Sequence, residues 1–231
     1  MYKRVLLKLS GEALAGENKF GIDTETINQI SDKIKRIHDM GVQVAIVVGG
    51  GNFWRGRTSK NMDKVTADYM GMLATTINGL GLKDALIQKG IDARIQTAIT
   101  MTQIAEPFVQ GNAVRHLNDN KVVIFACGTG SPFFSTDTAA ALRAAEIGAE
   151  IILVAKTIDG VYTADPKIDA NARKLDHITY QEILENDLKV MDSTAISLCK
   201  DNDIKLCVFA MNDPENIIKA VNGENVGTII E

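Results

Sequence analysis

The sequence predicts an α/β protein, built as a single-domain three-layer α/β/α sandwich with a largely parallel central sheet. Three observations predict this fold class. Short β-branched runs alternate along the chain with segments whose apolar residues recur every three or four positions. The run at residues 42–48 is almost uninterrupted, as in a strand covered by helices on both faces. No linker, low-complexity tract or internal repeat divides residues 1–231, so one domain is expected.

The predicted elements begin with a strand at residues 5–9 and a glycine-containing loop at residues 10–22. Asp23 is placed to cap a helix whose isoleucines recur at helical spacing and which Gly41 ends. A region rich in Ala, Met and Leu predicts a long helix at residues 66–89. Further helices are expected at residues 112–118, 138–147, 180–185, 193–203 and 214–221, and further strands at 42–48, 93–96, 122–127, 151–155, 206–209 and 228–230.

Composition argues against two kinds of partner. The net charge of −4 and the pI near 5.5 provide no basic field, so nucleic acid is not expected as a main partner. Lys8 interrupts the apolar run near the start, which argues against a signal peptide, and no apolar run approaches the ~20 residues of a membrane helix. Cys127, Cys199 and Cys207 have no metal-ligand spacing and fit reduced, mostly buried thiols. A cytoplasmic protein without membrane partners is therefore expected.

Ligands of parallel sheets bind outside the carboxyl ends of the strands, so the loops that follow strands should carry the chemistry. The first such loop places Lys8, Ser10 and Gly11 together at the end of a strand. A lysine there can neutralise charge during phosphoryl transfer, and the backbone N–H groups of the loop can wrap phosphate oxygens. The alternative is that Lys8 is an ordinary solvated charge.

The second loop combines glycines with arginines. Gly49, Gly50 and Gly51 follow a buried strand and indicate a close backbone approach to a ligand, while Arg55 and Arg57 follow at a spacing that suits a phosphate. The segment matches neither the dinucleotide fingerprint nor the Walker A pattern. A glycine hinge with solvent-exposed arginines is the alternative interpretation.

The third loop has the sequence 128-GTGSPFFSTDTAAALRAAEIG-148 and joins a strand to a helix. Its glycines, hydroxyl groups and helix N-terminus predict half of a phosphate-handling site. Asp137 stands among these donors, where an anion would be expected to bind, so it needs a cationic partner from elsewhere in the chain. Phe133 and Phe134 either wall a planar base or anchor the loop on the core.

The fourth loop, 159-DGVYTADP-166, contains Tyr162, which can pack on a purine, and Asp165, which can accept hydrogen bonds from a ribose or reach a metal through water. An Asp-Pro pair otherwise indicates only a turn.

Two further acids stand apart from these loops. Asp68 lies within a helix-prone run, and Asp192 precedes a helix, where the simplest role is that of an N-cap.

The order of these motifs resembles the amino acid kinase family over nearly the full chain. The segments that carry the resemblance are 8-KLSG-11, 49-GGGN-52, 128-GTG-130, 135-STD-137 and 159-DGVYTADP-166. Finer details resemble the bacterial uridylate kinase branch: Phe53, Arg55 and Gly56, then 67-ADYMGMLAT-75, 130-GSPFFSTD-137, 190-VMD-192 and 227-GTII-230.

The resemblance implies ATP-dependent phosphorylation of UMP to UDP in pyrimidine nucleotide synthesis, with Mg²⁺ carried by ATP. Carried onto matching positions, the implied catalytic residues are Lys8, Arg55, Asp137 and Asp192. The implied ATP-binding residues are Lys8, Leu9, Ser10, Gly11, Gly51, Arg55, Lys156, Thr157, Tyr162 and Asp165. The implied UMP-binding residues are Gly50, Asp68, Thr129, Gly130, Ser131, Pro132, Phe133, Phe134, Ser135 and Thr136.

The resemblance also implies a homohexamer that GTP activates and UTP inhibits. The segment linked to GTP consists of Gly16, Glu17, Asn18, Lys19, Phe20 and Gly21. The acceptor site is expected mainly in the N-terminal half, and the ATP adenosine site mainly in the C-terminal half. Two alternatives stay open: a related kinase of carbamate, glutamate or acetylglutamate, and a non-catalytic nucleotide-binding protein of the same fold. Those smaller substrates contain neither a ribose nor a base, so they would need neither Asp68 nor a wall formed by Phe133 and Phe134.

Overall fold

The computed structural model describes residues 1–54, 62–156, 158–164, 166, 168–169, 171–210 and 213–231. Its strands are β1 Arg4–Leu9, β2 Gln43–Val48, β3 Ala93–Thr97, β4 Glu106–Pro107, β5 Val122–Ala126, β6 Ile151–Lys156, β7 Val161–Tyr162, β8 Lys174–Leu175, β9 His177–Ile178, β10 Lys205–Ala210 and β11 Gly227–Ile230. Its α-helices are α1 Gly11–Ala15, α2 Thr24–Asp39, α3 Lys64–Gln88, α4 Gln110–Asn118, α5 Thr136–Ile147, α6 Tyr180–Glu185, α7 Ser193–Asp201 and α8 Pro214–Asn222.

One nine-stranded sheet forms the centre of the molecule, in the order β4-β3-β5-β2-β1-β6-β10-β11-β9. Neighbouring strands run parallel except β10 and β11, which are antiparallel. A separate antiparallel pair joins β7 to β8. The prediction of a largely parallel sheet within an α/β fold is confirmed.

Helices cover both faces of the sheet, and the alternation of side chains along β1 shows how they are arranged. Val5, Leu7 and Leu9 belong to an apolar cluster that includes the isoleucines of α2. Leu6 belongs to the opposite cluster, which includes the alanines of α5. Because successive side chains of a strand point to opposite faces, Lys8 lies on the face that α5 covers.

Asp23 caps the start of α2, and glycines follow the ends of α2 and α5, as the sequence predicts. The Asp23 carboxylate accepts from the N–H of Thr26 at 2.8 Å at the start of α2. Gly41, with a φ of 82°, follows the end of that helix. A glycine tolerates this left-handed conformation because it has no Cβ. Gly148, with a φ of 64°, ends α5 in the same way.

The prediction of a loop at residues 10–22 is wrong in part. Ser10 caps the five-residue helix α1, and a 3-10 turn follows at Gly16–Asn18. Leu14 and Ala15 are buried, but an apolar face this short has no periodicity that a sequence can display. The two-residue strands β4, β7, β8 and β9 escape prediction for the same reason.

The three cysteines are free and buried. Burial raises the pKa of both Cys199 and Cys207 to about 12, so these two thiols stay protonated and unreactive near neutral pH. Within the described residues, no helix combines the length and the apolar character needed to cross a membrane.

Candidate active site

The loops that follow β1 and β2 are packed against each other through glycine. A methyl carbon placed on Gly11 would lie 2.4 Å from Asn52 Oδ1 and 2.7 Å from the backbone nitrogen of Gly51. The corresponding carbon on Gly49 would lie 2.9 Å from the nitrogen of Gly11. Side chains at these positions would push the two loops apart. The glycines therefore bring the backbones of the first two candidate phosphate loops together.

A pair of buried amides fixes the second loop. The side chains of Asn52 and Asn78 exchange two hydrogen bonds, of 2.9 and 2.7 Å. Asn78 also donates to the carbonyl of Gly49 at 2.7 Å, and Asn52 donates to the carbonyl of Gly21 at 2.6 Å. Three of these bonds join the glycine loop to α3, and the fourth joins it to the segment before α2. Neither asparagine was predicted as a site residue.

Lys8 and Asp137 form an ion pair where the loops meet. Lys8 Nζ lies 2.6 Å from Asp137 Oδ1, and the two side chains are 14% and 23% exposed. The prediction that Asp137 needs a distant cation is thus confirmed. Both side chains remain accessible, so a phosphate can reach the lysine.

A second lysine lies close to this pair. Lys156, at the end of β6, donates from Nζ to the carbonyl of Val190. Burial lowers the pKa of Lys156, and the neighbouring charge of Lys8 lowers it further, while Asp137 partly offsets both effects. Two lysines, Lys8 and Lys156, thus lie at the ends of the neighbouring strands β1 and β6.

A cavity of about 220 Å³ lies between the second loop, α3 and the third loop. Its lining residues are Gly50, Gly51, Trp54, Ala67, Asp68, Gly71, Met72, Thr75, Gly128, Thr129, Phe134, Ser135 and Thr136. We call this the acceptor cavity. It brings together Gly50, Asp68 and the third loop, which are far apart in sequence.

Asp68 is held in place at the wall of the acceptor cavity. Its carboxylate pairs with Lys64 at 2.7 Å and accepts from the N–H of Phe133 at 2.8 Å. Burial by itself would raise the pKa of Asp68, but these two partners outweigh it and hold the pKa below its ordinary value. The carboxylate is therefore ionised at neutral pH and able to accept from hydroxyl groups.

Asp192 connects the third loop to α7. It caps α7 by accepting from the N–H of Ala195 at 2.9 Å, which confirms the N-cap interpretation. The same carboxylate accepts from the hydroxyls of Ser135 and Thr138. Ser135 in turn caps α5, the helix that begins with Thr136 and Asp137. Asp192 thus positions the start of α5, and with it Asp137.

Two larger cavities lie on the other side of Lys8. One of about 610 Å³ is lined by Lys8, Ser10, Glu12, Ala13, Thr26, Gln29, Ile30, Lys33, Ala155, Lys156 and Ile158. The other, of about 520 Å³, is lined by Lys156, Ile158, Gly160, Val161, Tyr162, Thr163, Ala164, Pro166, Asn186, Asp187, Leu188, Lys189, Val190 and Val208. Both linings include Lys156 and Ile158, so the two cavities adjoin, and we refer to them together as the donor cleft.

Several predicted residues lie elsewhere. Leu9 is fully buried in the core, which leaves its backbone as the part that can reach a ligand. Phe133 is 70% exposed with Lys64 Nζ 5.6 Å from its ring centroid, and it is not among the residues that line the acceptor cavity. Arg55, Thr157 and Asp165 lie outside the described residues.

The segment from Gly16 to Gly21 adjoins the second loop. The N–H of Gly21 donates to the carbonyl of Asn52 at 3.1 Å. Phe20 is largely exposed and packs edge-on against Phe53, with ring centroids 5.7 Å apart. A change in this segment can therefore reach the glycine loop. Among the described residues, no group of three or more His, Cys, Asp or Glu side chains is arranged to hold a metal ion.

The geometry of the site is that of a ligand-binding edge of a parallel sheet. A lysine at the end of a central strand, paired with an aspartate at a helix N-terminus and adjoined by cavities, is suited to binding a phosphate there. A sequence model of the amino acid kinase family matches residues 3–210. The chain belongs to the amino acid kinase family.

Three solved structures similar to this chain are UMP or uridylate kinases. The UMP kinase from Bacillus anthracis is 38% identical, with a TM-score of 0.97 over 100% of this chain and 96% of that one. The UMP kinase from Ureaplasma parvum is 40% identical, with a TM-score of 0.94 over 100% and 99% of the two chains. The uridylate kinase from Archaeoglobus fulgidus is 32% identical, with a TM-score of 0.76 over the whole of both.

Proposed function

We propose that the protein transfers a phosphate from ATP to UMP, giving ADP and UDP, as a step of de novo pyrimidine nucleotide synthesis that supplies UTP and CTP. The acceptor cavity carries this proposal. It places an ionised aspartate, Asp68, between a glycine loop and a hydroxyl-rich loop beside the Lys8–Asp137 pair. A carboxylate suits the hydroxyl groups of a ribose, which carbamate and glutamate lack. The likeness to UMP kinases supports the same substrate.

UMP would occupy the acceptor cavity with its phosphate toward the glycines and its base toward the third loop. Gly51 lies beside Gly11 and thus near Lys8, where the phosphate would have to arrive, and Gly50 packs against α3. Asp68 would bind the ribose. The base would contact the residues of the third loop that line the cavity, namely Thr129, Phe134, Ser135 and Thr136. Contacts with Gly130, Ser131 and Pro132 stay predictions from the family pattern.

ATP would lie along the donor cleft. Its phosphates would meet Lys8 and the backbone of Leu9, Ser10, Gly11 and Gly51, and its adenosine would extend past Lys156 toward Tyr162. Roles for Arg55 at the phosphates and for Thr157 and Asp165 at the adenosine stay predictions from the family pattern. In this arrangement residues 1–231 act as one domain, with the acceptor mainly in the N-terminal half and the adenosine in the C-terminal half.

Catalysis would be mainly positioning and charge stabilisation. ATP and UMP together carry about six negative charges near pH 7, so the acceptor phosphate approaches against strong repulsion. Lys8 offsets this charge, and Asp137 keeps the Lys8 ammonium at the transfer point. No general base is needed, because the attacking phosphate oxygen is already ionised. We assign Asp192 the role of positioning Asp137 through Ser135.

Mg²⁺ would accompany the ATP phosphates. The partly exposed carboxylate of Asp137 next to Lys8 fits this, since hard cations prefer oxygen ligands. When bound, the ion would neutralise phosphate charge. The residues of the chain would supply the rest of the site.

We also propose a cytoplasmic homohexamer, activated by GTP near the segment from Gly16 to Gly21 and inhibited by UTP. An exposed apolar stripe on α3 supports association between copies. It consists of Val65, Tyr69, Leu73 and Ile77, spaced four residues apart and thus on one helix face. Contacts between Gly21 and the glycine loop supply a route from the GTP segment to the site.

A coupled assay that detects ADP tests the proposed reaction. The purified protein is incubated with ATP, Mg²⁺ and, in separate reactions, UMP, CMP, carbamate or glutamate. We expect turnover with UMP well above that with the other acceptors. Turnover with carbamate or glutamate instead would identify a different kinase of the family. Binding of ATP without turnover on any acceptor would identify a non-catalytic nucleotide-binding protein.

A further inference from the structure

We propose that Phe134 makes the acceptor site reject purine nucleotides, by closing the base end of the acceptor cavity against a second cavity behind it. This inference rests on the proposed function and names the residue that limits the acceptor base. The second cavity has a volume of about 500 Å³ and is lined by Thr129, Ser131, Phe134, Thr138, Leu142, Thr194, Ser197, Leu198 and Asp201.

The two cavities meet at two residues. Thr129 and Phe134 belong to the lining of both. The acceptor cavity measures about 220 Å³, less than half the volume of its neighbour. Phe134 has the larger side chain of the two, so its ring is the bulkiest group where the small acceptor cavity adjoins the larger one.

The base of the acceptor has to point toward this boundary. Gly50 and Gly51 also line the acceptor cavity, and Gly51 lies beside the loop that follows Lys8. A nucleotide whose phosphate sits there extends its base toward Thr129 and Phe134. A pyrimidine has one ring, whereas the second ring of a purine would reach into the volume that the Phe134 side chain occupies.

The second cavity is suited to a neutral ring. Hydroxyl groups of Ser131, Thr194 and Ser197 line it together with the apolar Leu142 and Leu198. Its described lining contains no lysine or arginine, and Asp201 is the one charged group there, so a phosphate is not the ligand that it fits. With Phe134 removed, this space offers hydrogen-bonding and apolar contacts to the extra ring of a purine.

Phe134 is held in position from both sides along the chain. The N–H of Phe133 donates to Asp68 at 2.8 Å, and the hydroxyl of Ser135 donates to Asp192. The backbone on either side of Phe134 is therefore fixed to α3 and to α7. Its side chain is 51% exposed, so replacing it removes little core packing.

The test compares Phe134→Ala with Phe133→Ala. Phe133 is the adjacent aromatic residue but is not among the described residues that line either cavity. Transfer of labelled γ-phosphate from ATP to UMP, AMP and GMP gives kcat/KM for each acceptor. We expect Phe134→Ala to raise the ratio of GMP or AMP to UMP by about tenfold or more, and Phe133→Ala to leave that ratio unchanged.

A double variant shows where the extra ring goes. Ser197→Trp places a large side chain in the second cavity and should abolish the gain in the Phe134→Ala background. An unchanged purine ratio in folded Phe134→Ala would overturn the proposal, as would loss of UMP activity without any purine gain, which would make Phe134 a stacking residue. Thermal unfolding verifies that each variant is folded.

Binding measurements separate this inference from the proposed reaction. Titration calorimetry with GMP needs no turnover, and GMP should bind Phe134→Ala more tightly than the unaltered protein. If the unaltered protein fails to phosphorylate UMP, the proposed reaction is wrong, and the calorimetric comparison still decides the role of Phe134. If the unaltered protein phosphorylates UMP, but Phe134→Ala changes neither the transfer to GMP nor the binding of GMP, then only the role given to Phe134 is wrong.

Discussion

In the proposed reaction, the Lys8–Asp137 pair determines the charge that an arriving phosphate meets. The Lys8 ammonium is already bonded to a carboxylate at 2.6 Å, so a phosphate oxygen has to share or replace that bond. The pair also restrains a long flexible side chain, which lowers the entropy lost when the phosphate binds. Lys8 is therefore positioned before either nucleotide enters.

Replacing Lys8 with alanine should reduce turnover by an amount equivalent to about 3–4 kcal/mol, the scale of one lost transition-state donor. Initial rates at saturating ATP and UMP measure the effect. Lys35→Ala is the control, because Lys35 is exposed on α2 and pairs with Asp39 away from the site. Near-normal turnover in Lys8→Ala would remove the assigned role.

Replacing Asp68 with alanine should raise KM for UMP far more than KM for ATP, because its carboxylate lies on the wall of the acceptor cavity and not in the donor cleft. The loss also frees the N–H of Phe133, which loosens the third loop. Steady-state kinetics with each substrate varied in turn give both constants. Equal increases would mean that the acceptor site lies elsewhere.

The elements around the site depend on close approaches that only glycine permits. Gly11 begins α1 and faces the second loop, whereas Gly111 lies in α4, where an added Cβ would meet no heavy atom within 4 Å. A larger residue would therefore clash at Gly11 but would fit at Gly111. The first glycine makes room for a neighbouring loop, and the second is only a weak helix former.

Gly11→Ala should displace the second loop and abolish most of the activity, because its methyl carbon would lie 2.4 Å from Asn52 Oδ1. Gly111→Ala, by contrast, should leave activity unchanged and stabilise the protein by about 0.5–1 kcal/mol. Chemical denaturation and the coupled assay measure the two effects. Wild-type activity in Gly11→Ala would show that the loops do not need to pack so closely.

Sequence patterns predicted the elements whose signals are local. The capped helix α2, the buried strand β2 and the glycine at the end of α5 each follow from residues within one segment. The loops that follow strands also pointed to the site, because a parallel sheet brings them to one edge. The position of Asp137 among anion-binding donors also predicted that it pairs with a cation from elsewhere in the chain, which is Lys8.

Other parts of the site depend on contacts that no local pattern encodes. Asn78 lies in the middle of α3, and nothing in its neighbours indicates that it pairs with Asn52 across the fold. The bond from Lys156 to the carbonyl of Val190 joins two segments through a backbone atom, which has no residue signature. The distinction between Phe133 and Phe134 likewise follows from the backbone, since Phe133 has a φ of 71°.

At the scale of the whole molecule, the apolar stripe of α3 is expected to hold copies together. Leu73 is 50% exposed and Ile77 is 49% exposed, although both are large and apolar. Leu73→Glu should therefore produce a smaller species in sedimentation or light-scattering measurements. Ile168→Glu, at a residue that is 86% exposed and off the stripe, is the control for added charge. An unchanged mass in Leu73→Glu would place the interface on another surface.

The position of β1 in the sheet has a consequence for how the protein is made. β1 lies between β2 and β6, and Lys8 pairs in register with Val47 on one side and Val154 on the other. During synthesis one edge of this apolar strand stays open until residues 151–156 emerge from the ribosome.

Fragments that end before Ile151 should therefore aggregate more than fragments that extend past Lys156, which pelleting of translation products would detect. Equal solubility would show that another segment shields the strand. Lys8, the lysine proposed to meet the phosphate, thus lies on a strand whose pairing is completed late, so a stalled chain exposes an unpaired apolar strand edge at the proposed active site.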